Sequence, residues 1–97
     1  MKNFENKVVI ITGAAMGLGL AAAQELASQG ASLMLVDYNE KSLAEAKNEI
    51  GKKFPSVKIV TAVADVSNEE AVKNYVNETV KAFGRIDGLY NNAGIEG

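Results

Sequence analysis

The chain has 97 residues, of which 47% are hydrophobic and 23% are charged, and its formal net charge at neutral pH is −2. This length allows one domain at most, and the composition is ordinary for a soluble globular protein. Cysteine and histidine are both absent, which excludes disulfides, thiolate zinc sites, cysteine nucleophiles and imidazole chemistry. The charges are interspersed, so neither a nucleic-acid footprint nor a polybasic membrane patch is expected.

The first residues carry no sign of a targeting segment. Residues 1–6 are too polar for a secretory signal, and no apolar run approaches the length of a membrane span. We therefore expect a cytoplasmic protein that binds neither nucleic acid nor membrane.

Residues 7–30 organise the rest of the chain. Residues 8–11 form an apolar run rich in β-branched side chains, which predicts a strand buried on both faces. Residues 20–29 are rich in alanine and predict a helix. Gly30 follows this helix at the position where a left-handed residue commonly ends one.

Three glycines, Gly13, Gly17 and Gly19, separate this strand from this helix. Each costs up to about 1 kcal/mol of helix propensity wherever it lies inside the helix. One explanation is that a turn without side chains lets a phosphate reach the N–H groups and the positive dipole end of the helix. The alternative is that the glycines serve only a tight turn and close packing of helix on sheet. Their spacing also differs from the common Gly-x-Gly-x-x-Gly fingerprint.

Strands and helices alternate after Gly30. Further strands are predicted at residues 31–36, 57–64 and 86–90, with a helix after each of the first two. Such alternation predicts an α/β fold with a parallel sheet, right-handed crossovers and helices on its faces. The side chains predicted to contact the core from the helices are Leu18, Leu26, Leu43, Ile50, Val72, Val76, Val80 and Phe83.

Helix ends are predicted from local capping signals. Asn39 is expected to cap the second helix, and Gly51 and Pro55 to bracket its end. Residues 67–70, Ser-Asn-Glu-Glu, fit a capping box at the start of the third helix.

Four loops are predicted to meet at the carboxyl edge of the sheet, where open α/β sheets bind ligands. One of them carries Asp37, eighteen positions after Gly19, close to the spacing at which an acidic side chain accepts hydrogen bonds from the ribose of adenosine. The carboxylate would also repel a 2′-phosphate, by on the order of 4 kcal/mol at about 4 Å before screening. This favours NAD over NADP. The alternative is that Asp37 only terminates a strand or caps the next turn.

The third loop contains Asp65 and Val66. Asp65 could accept a hydrogen bond from the exocyclic amine of adenine while Val66 packs on the ring. Alternatively, Asp65 simply begins the turn before Ser67.

The fourth loop contains Asn91 and Asn92. Paired amides at this point could tie neighbouring strand ends together, with Gly94 letting the backbone approach a ribose. The alternative is an ordinary asparagine-rich turn. None of the three tyrosines has a lysine four residues further on, and none is assigned a catalytic role.

In their order and spacing these motifs resemble the short-chain dehydrogenase/reductase family. The motifs are residues 12–19 (Thr-Gly-Ala-Ala-Met-Gly-Leu-Gly), Asp37, Asp65 with Val66, and residues 91–94 (Asn-Asn-Ala-Gly). The resemblance covers the chain from Lys7 onward. It implies a Rossmann-type three-layer α/β/α fold with strand order 3-2-1-4. It also implies a nicotinamide dinucleotide cofactor and hydride transfer to or from an alcohol or carbonyl carbon of a small-molecule substrate.

The resemblance also implies which residues hold the cofactor, NAD. The glycine turn would hold the diphosphate and adenosine ribose, Asp37 the ribose hydroxyls, and the last two loops the adenine and the adenosine side. Met16 departs from the Ser or Arg usual in the family, which removes a side-chain hydrogen bond and leaves a backbone contact possible. The implied residues are Gly13, Ala15, Met16, Gly17, Leu18, Gly19, Asp37, Asp65, Val66, Asn92, Ala93 and Gly94.

Length sets this chain apart from the family. Members run to roughly 250 residues as a single domain, and their catalytic Asn, Ser and Tyr-x-x-x-Lys set lies beyond residue 97. Residues 1–97 are therefore expected to be the N-terminal part of one NAD(P)-binding domain, truncated after strand four, without catalytic residues of its own. The closing residues also resemble a subgroup that acts on cyclic alcohols and ketones.

The predicted fourth strand becomes a sheet edge in a chain of this length. Ile86, Leu89 and Tyr90 lie on it, and unpaired apolar edges attract partners. We therefore expect residues 1–97 either to belong to a longer protein or to associate through strand four and residues 72–83, with homo-oligomers as the expected assembly. Two functions remain open: the cofactor-binding half of an NAD-dependent dehydrogenase, or a non-catalytic nucleotide-binding or interaction module.

Overall fold

A computed structural model describes residues 3–92 of the chain. Strands and helices alternate through these residues, which confirms the predicted α/β class. No helix in this part of the chain is long and apolar enough to cross a membrane. The elements are β1 (Val8–Thr12), α1 (Gly17–Ser28), β2 (Ser32–Asp37), α2 (Glu40–Lys53), β3 (Ile59–Val63), α3 (Glu69–Phe83) and β4 (Gly88–Asn91).

The described strands form one parallel sheet in the order β3-β2-β1-β4. β1 lies inside it, with Val9 opposite Leu33 of β2 on one side and opposite Gly88 of β4 on the other. β2 pairs in turn with β3, where Met34 lies opposite Val60. The predicted Rossmann-type order 3-2-1-4 is therefore confirmed, and the carboxyl ends of the strands lie along one edge.

Helices cover both faces of this sheet. α1 and α2 pack on one face, where Ala23 and Leu43 contribute to a cluster around Ile11 of β1. α3 covers the other face, where Tyr75 packs in a cluster with Met34 of β2. β1 and β2 are therefore buried from both sides, which explains their uninterrupted apolar runs.

The ends of α1 and α2 largely follow the predicted caps. Asn39 Oδ1 accepts from the Ser42 N–H at 2.9 Å, and Gly30 has the left-handed φ of 92° expected just after α1. Gly51, predicted to bracket the end of α2, lies inside the helix, which continues to Lys53. α1 starts three residues earlier than predicted, at Gly17, because the glycines themselves form its first turn.

The start of α3 differs from the predicted capping box. Asn68 caps this helix, and its Oδ1 accepts from the Ala71 N–H at 3.1 Å. The Ser67 hydroxyl donates instead to Asp65 Oδ1 at 2.7 Å. The Ser67 hydroxyl is therefore bonded to the Asp65 carboxylate and cannot cap the helix. Asn68 is the N-cap residue instead.

Two side chains predicted to contact the core are exposed. Leu18 in the first turn of α1 is 56% exposed and Val80 near the end of α3 is 47% exposed. Neither side chain belongs to the hydrophobic clusters that the described parts of α1 and α3 form with the sheet. Helical spacing alone predicted both positions wrongly.

β4 forms the second edge of the sheet and is attached to β1 through Asp87. The Asp87 N–H donates to the Val8 carbonyl, and the Val8 N–H donates to Asp87 Oδ2, each at 2.8 Å. The Arg85 guanidinium lies 2.6 Å from Asp87 Oδ1. The bonds from Arg85 and Val8 hold the pKa of Asp87 below its ordinary value. Leu89 and Tyr90 lie on this strand as predicted and are exposed. Ile86, also predicted on the strand, lies before its start at Gly88.

Candidate functional site

The turn between β1 and α1 takes its shape from glycines. Gly13 and Gly17 both have a φ of 62°, in the left-handed region that other residues rarely adopt. α1 begins at Gly17, and its N-cap residue, Met16, is extended and makes no side-chain capping bond. The first turn of the helix also lacks an acidic residue. The helix therefore presents the positive end of its dipole without a carboxylate or hydroxyl of its own to neutralise it.

The mouth of α1 is open to solvent. Met16 is 53% exposed, and Gly17 beside it is exposed as well. The N-cap residue and the first residue of α1 are therefore both accessible from solvent.

Gly19 is required by the close approach of the helix to the turn. A Cβ added at Gly19 would overlap the carbonyl oxygen of Gly13 and lie 3.0 Å from Asn92 Nδ2. The backbone of α1 thus rests directly on the backbone of the turn. Close packing of the helix on the turn therefore requires a glycine at this position. This requirement is compatible with anion binding by the main-chain N–H groups at the start of α1.

Asp37 ends β2 directly beside the turn. Its Oδ2 accepts from the Ala15 N–H at 3.0 Å, and its Oδ1 accepts from the Asn39 N–H at 3.1 Å. The side chain is only 7% exposed, so two backbone donors set its orientation. Each carboxylate oxygen can accept further hydrogen bonds. The Ala15 N–H is already used by this contact, so any contact of Ala15 with a cofactor must come from its other atoms.

Thr12 joins the carboxyl ends of β1 and β4. Its buried hydroxyl donates to Asn91 Oδ1 at 2.9 Å and accepts from the Asn92 N–H at 3.0 Å. The predicted tie between neighbouring strand ends is therefore present. That Thr12 joins the two strand ends was not predicted from the sequence. The sequence feature that could have indicated it is a polar residue at the end of an otherwise apolar strand.

The side chain of Asn92 is buried without a hydrogen-bond partner among the described residues. It is 1% exposed, and neither Oδ1 nor Nδ2 is bonded. A buried polar group left unpaired costs roughly 1–3 kcal/mol, so this amide would gain from a partner. Ala93 and Gly94, the other predicted residues of this loop, lie outside the described residues.

Asp65 begins the turn before α3, as its simpler interpretation predicted. Its Oδ1 accepts from the Ser67 hydroxyl at 2.7 Å and from the Ser67 N–H at 2.9 Å. These two bonds, the hydroxyl first, hold the pKa of the exposed Asp65 carboxyl below its ordinary value of 3.8. Val66 is half-buried against the cluster that contains Met34 and Tyr75. The second carboxylate oxygen of Asp65 accepts no bond within the described part of the chain.

The predicted loops therefore meet at one edge. Thr12 pairs with Val36 on one side and with Asn91 on the other, and Asp37 lies opposite Val63 at the end of β3. The edge combines an uncapped helix N-terminus with an acceptor carboxylate and a buried amide. Such a set suits a ligand with an anion and hydroxyl groups. In residues 3–92 no cluster of acidic, cysteine or histidine side chains is arranged to hold a metal ion.

Sequence comparison gives a family for this arrangement. Residues 7–97 match the family model of short chain dehydrogenases. Levodione reductase of Leifsonia aquatica is 49% identical over 94 residues, which are 97% of this chain and 35% of the relative. Meso-2,3-butanediol dehydrogenase of Serratia marcescens is 40% identical over 95% of this chain and 35% of its own length. The chain thus spans about a third of the length of these relatives.

Solved structures of similar fold belong to the same kind of enzyme as the sequence relatives. The crystal structure of levodione reductase superposes with a TM-score of 0.93 at 48% identity, over 98% of this chain and 37% of that one. NAD+-bound xylitol dehydrogenase gives a TM-score of 0.90 at 42% identity, over 96% and 35% of the two chains. L-sorbose reductase from Gluconobacter frateurii, complexed with NADPH and L-sorbose, gives 0.91 at 36% identity over the same shares. The fold, the loops at the carboxyl edge of the sheet and these matches together show that the chain belongs to the short-chain dehydrogenase family.

Proposed function

We propose that residues 1–97 are the dinucleotide-binding part of an oxidoreductase that transfers hydride between NAD(H) and an alcohol or carbonyl substrate. The observation that carries this proposal is the pairing of two features at one edge. The open, uncapped N-terminus of α1 suits a diphosphate. The Asp37 carboxylate, held against the same turn by the Ala15 N–H, suits the hydroxyls of a ribose.

The residues present fit a dinucleotide. The backbone of Gly17, Leu18 and Gly19 would hold the diphosphate, with Gly13 and Met16 beside it in the turn. The buried amide of Asn92, unpaired among the described residues, lies at the same place and would gain from a polar ligand there. Asp65 and Val66 are proposed for the adenine, and Ala93 and Gly94 for the adenosine side. The bound nicotinamide supplies or accepts the hydride.

NAD is the proposed form of the cofactor. Relatives with bound cofactors differ: xylitol dehydrogenase holds NAD+ and L-sorbose reductase holds NADPH. The choice between the two cofactors is therefore argued from the residues of this chain. A 2′-phosphate would lie against the Asp37 carboxylate, and repulsion is worth on the order of 4 kcal/mol at about 4 Å before screening. The residues that follow, Tyr38 and Asn39, offer no cation to offset it.

Substituting Asp37 tests this proposal. The unmodified full chain is expected to bind NAD more tightly than NADP in calorimetric titrations. Asp37→Asn should reduce the preference for NAD by about tenfold or more, since the like-charge contact disappears. Glu45→Gln removes the same charge from an exposed position on α2 and should leave the preference unchanged. Tighter binding of NADP by the unmodified chain would contradict the choice of NAD.

The catalytic machinery is proposed to lie outside residues 1–97. The apolar β4 edge, with Leu89 58% exposed, supports the interpretation that these residues are the N-terminal part of a single NAD(P)-binding domain. The identity to levodione reductase supports a cyclic alcohol or ketone as substrate. Sequencing the gene past residue 97 should reveal a serine followed by Tyr-x-x-x-Lys. A stop codon there would favour the alternative, a non-catalytic nucleotide-binding or interaction module, which no observation now supports. Homo-oligomers stay a prediction.

A further inference from the structure

The outer edge of β3 carries main-chain groups that pair with no described element. The Lys58 carbonyl accepts from the Leu33 N–H, and the Ala64 N–H donates to the Asp37 carbonyl, each at 3.0 Å. Main-chain groups alternate in direction along a strand, so even-numbered residues 58–64 face β2. The N–H and C=O groups of residues 59, 61 and 63 therefore point away from the sheet, because β3 is its outermost strand.

This edge lacks the features by which proteins usually prevent strand addition. Residues 59–63 read Ile-Val-Thr-Ala-Val, with no charge and no proline, and they pair with β2 in unbroken register without a bulge. Lys58, the adjacent cation, is directed elsewhere. Its Nζ donates to the Ala82 carbonyl at 3.2 Å and lies 5.2 Å from the centroid of the Phe83 ring. The unpaired groups of β3 are thus open to a further strand.

A hollow lies beside this edge on each face of the sheet. The hollow toward α3 has a volume of about 310 Å³ and is lined by residues 61–64 together with Asn74, Tyr75 and Glu78. The hollow toward α2 has a volume of about 380 Å³, and Lys47 and Lys52 line it. Successive side chains of an added strand point to opposite faces. The hollow toward α2 lies beside residues 57 and 59, and the hollow toward α3 lies beside residues 61–64. Such a strand would therefore place side chains of one face in the first hollow and side chains of its other face in the second.

The two hollows differ in charge, which specifies the kind of strand. Among residues 3–92, Lys47 and Lys52 are the charged residues that line the hollow toward α2, and Glu78 is the one that lines the hollow toward α3. We propose that the β3 edge binds an extended peptide segment of a partner protein, with acidic side chains facing α2 and a basic side chain facing α3. Main-chain pairing would supply affinity and the alternating charges would supply register. This proposal does not depend on the proposed function.

A second copy of this chain fits the edge less well. Antiparallel pairing of two β3 strands uses a two-fold axis perpendicular to the sheet, which places α2 beside α2 and α3 beside α3. Lys47 and Lys52 would then face their own copies, and so would Glu78. Like charges brought together in this way are destabilising. A peptide with alternating charge has no such conflict.

A labelled peptide tests the proposal directly. The probe is fluorescein-labelled Val-Thr-Glu-Lys-Glu-Thr-Val, in which alternate positions place both glutamates on one face and the lysine on the other. Its anisotropy is followed as the full chain is added at low salt, and saturable binding is expected. Two further peptides are N-methylated at the odd or at the even positions. Main-chain pairing requires that one of these loses binding and the other keeps it, so equal binding by both would overturn the proposal.

Two matched pairs of variants locate the peptide on β3. Thr61→Pro removes an outward N–H and leaves the N–H groups that pair with β2, so it should weaken peptide binding about tenfold. Thr61→Val keeps the N–H and should bind as the unmodified chain does. Lys47→Glu should weaken binding about fivefold at low salt. Lys41→Glu, on the same helix but outside the hollow, should have no effect.

The same variants also show which results would contradict peptide binding at the β3 edge. Circular dichroism must show that Thr61→Pro is folded, and if it is not, the lysine pair and the methylated peptides decide the question. Unchanged binding by folded Thr61→Pro, or equal effects of the two lysine variants, would overturn the proposal. So would self-association in sedimentation that Thr61→Pro abolishes while the peptide fails to bind, since a second copy would then occupy the edge.

Discussion

The β1–α1 turn (residues 13–16) and the β3–α3 turn (residues 64–68) lie at the same edge of the sheet but are built differently. Ala14 and Ala15 of the first turn are buried, and the helix backbone at Gly19 rests on the Gly13 carbonyl. Asp65 and Ser67 of the second turn are exposed. Both turns were predicted to hold parts of one cofactor. The first turn contains fully buried residues, whereas the second contacts the core only through the half-buried Ala64 and Val66.

The hydrogen bonds of the two turns show the same contrast. Ala15 is bonded to Asp37, 22 residues further along the chain, and Thr12 just before the turn is bonded to Asn92, 80 residues away. Asp65 is bonded to Ser67, two residues away. The shape of the first turn therefore depends on the assembled sheet. In the second turn Ala64 is still bonded to Asp37 of β2, but the part from Asp65 to Ser67 is set by local bonds. Substitutions in the first turn should affect folding and binding together, and substitutions in the second should spare folding.

The largest effect is expected from Gly19→Ala. The added methyl group would overlap the Gly13 carbonyl, and forcing the two backbones apart should cost about 3 kcal/mol of unfolding free energy. Gly51→Ala is the matched control, because a Cβ there meets nothing within 4 Å and should stabilise α2 by up to about 1 kcal/mol. Urea denaturation of the two variants measures both effects. If the Gly19→Ala and Gly51→Ala variants had equal free energies of unfolding, the turn would accommodate the added methyl group at little cost, contrary to this prediction.

A smaller loss is expected from Thr12→Val. The substitution keeps the shape of the side chain but leaves the buried Asn92 N–H without its acceptor, which should cost roughly 1–3 kcal/mol. Thr79→Val is the control, since the buried Thr79 hydroxyl bonds only within α3, to the Tyr75 carbonyl at 2.7 Å. Hydrogen exchange of the Asn92 amide should accelerate in the first variant and not in the second. Unchanged exchange would mean that β4 is held without Thr12.

The smallest effect on folding is expected from Asp65→Asn. The pKa of Asp65 lies below its ordinary value of 3.8 because Ser67 donates to the ionised carboxylate. The contribution of these bonds to stability is therefore present above about pH 4 and is lost as the pH falls through the lowered folded pKa. Asp65→Asn should remove only this acid dependence, which unfolding curves between about pH 2 and 6 would show. A large loss of stability near neutral pH would contradict the picture of a locally built turn.

The same variant also tests whether the second turn contacts adenine. If Asp65 accepts from the exocyclic amine, Asp65→Asn should weaken NAD binding several-fold without changing the fold. Unchanged affinity would leave Asp65 with its role in the turn alone.

The sequence by itself determined the order of the elements, the parallel topology and the edge where the loops collect. Unbroken apolar runs such as residues 8–11 and 33–36 predict doubly buried strands, and Asn39 marked the start of α2 correctly. These features depend on local periodicity and on residues within one turn of each other. They can therefore be inferred without knowing which segments meet.

Only the tertiary structure decided how the loops at that edge are held. Gly19 is needed because two backbones touch, Thr12 matters because its hydroxyl lies between β1 and β4, and Asp37 is oriented by a donor from another loop. Helical spacing placed Leu18 and Val80 in the core, and both are exposed. Burial and long-range hydrogen bonds depend on which surfaces the folded chain brings together. Spacing along one element carries no information about where its neighbours end.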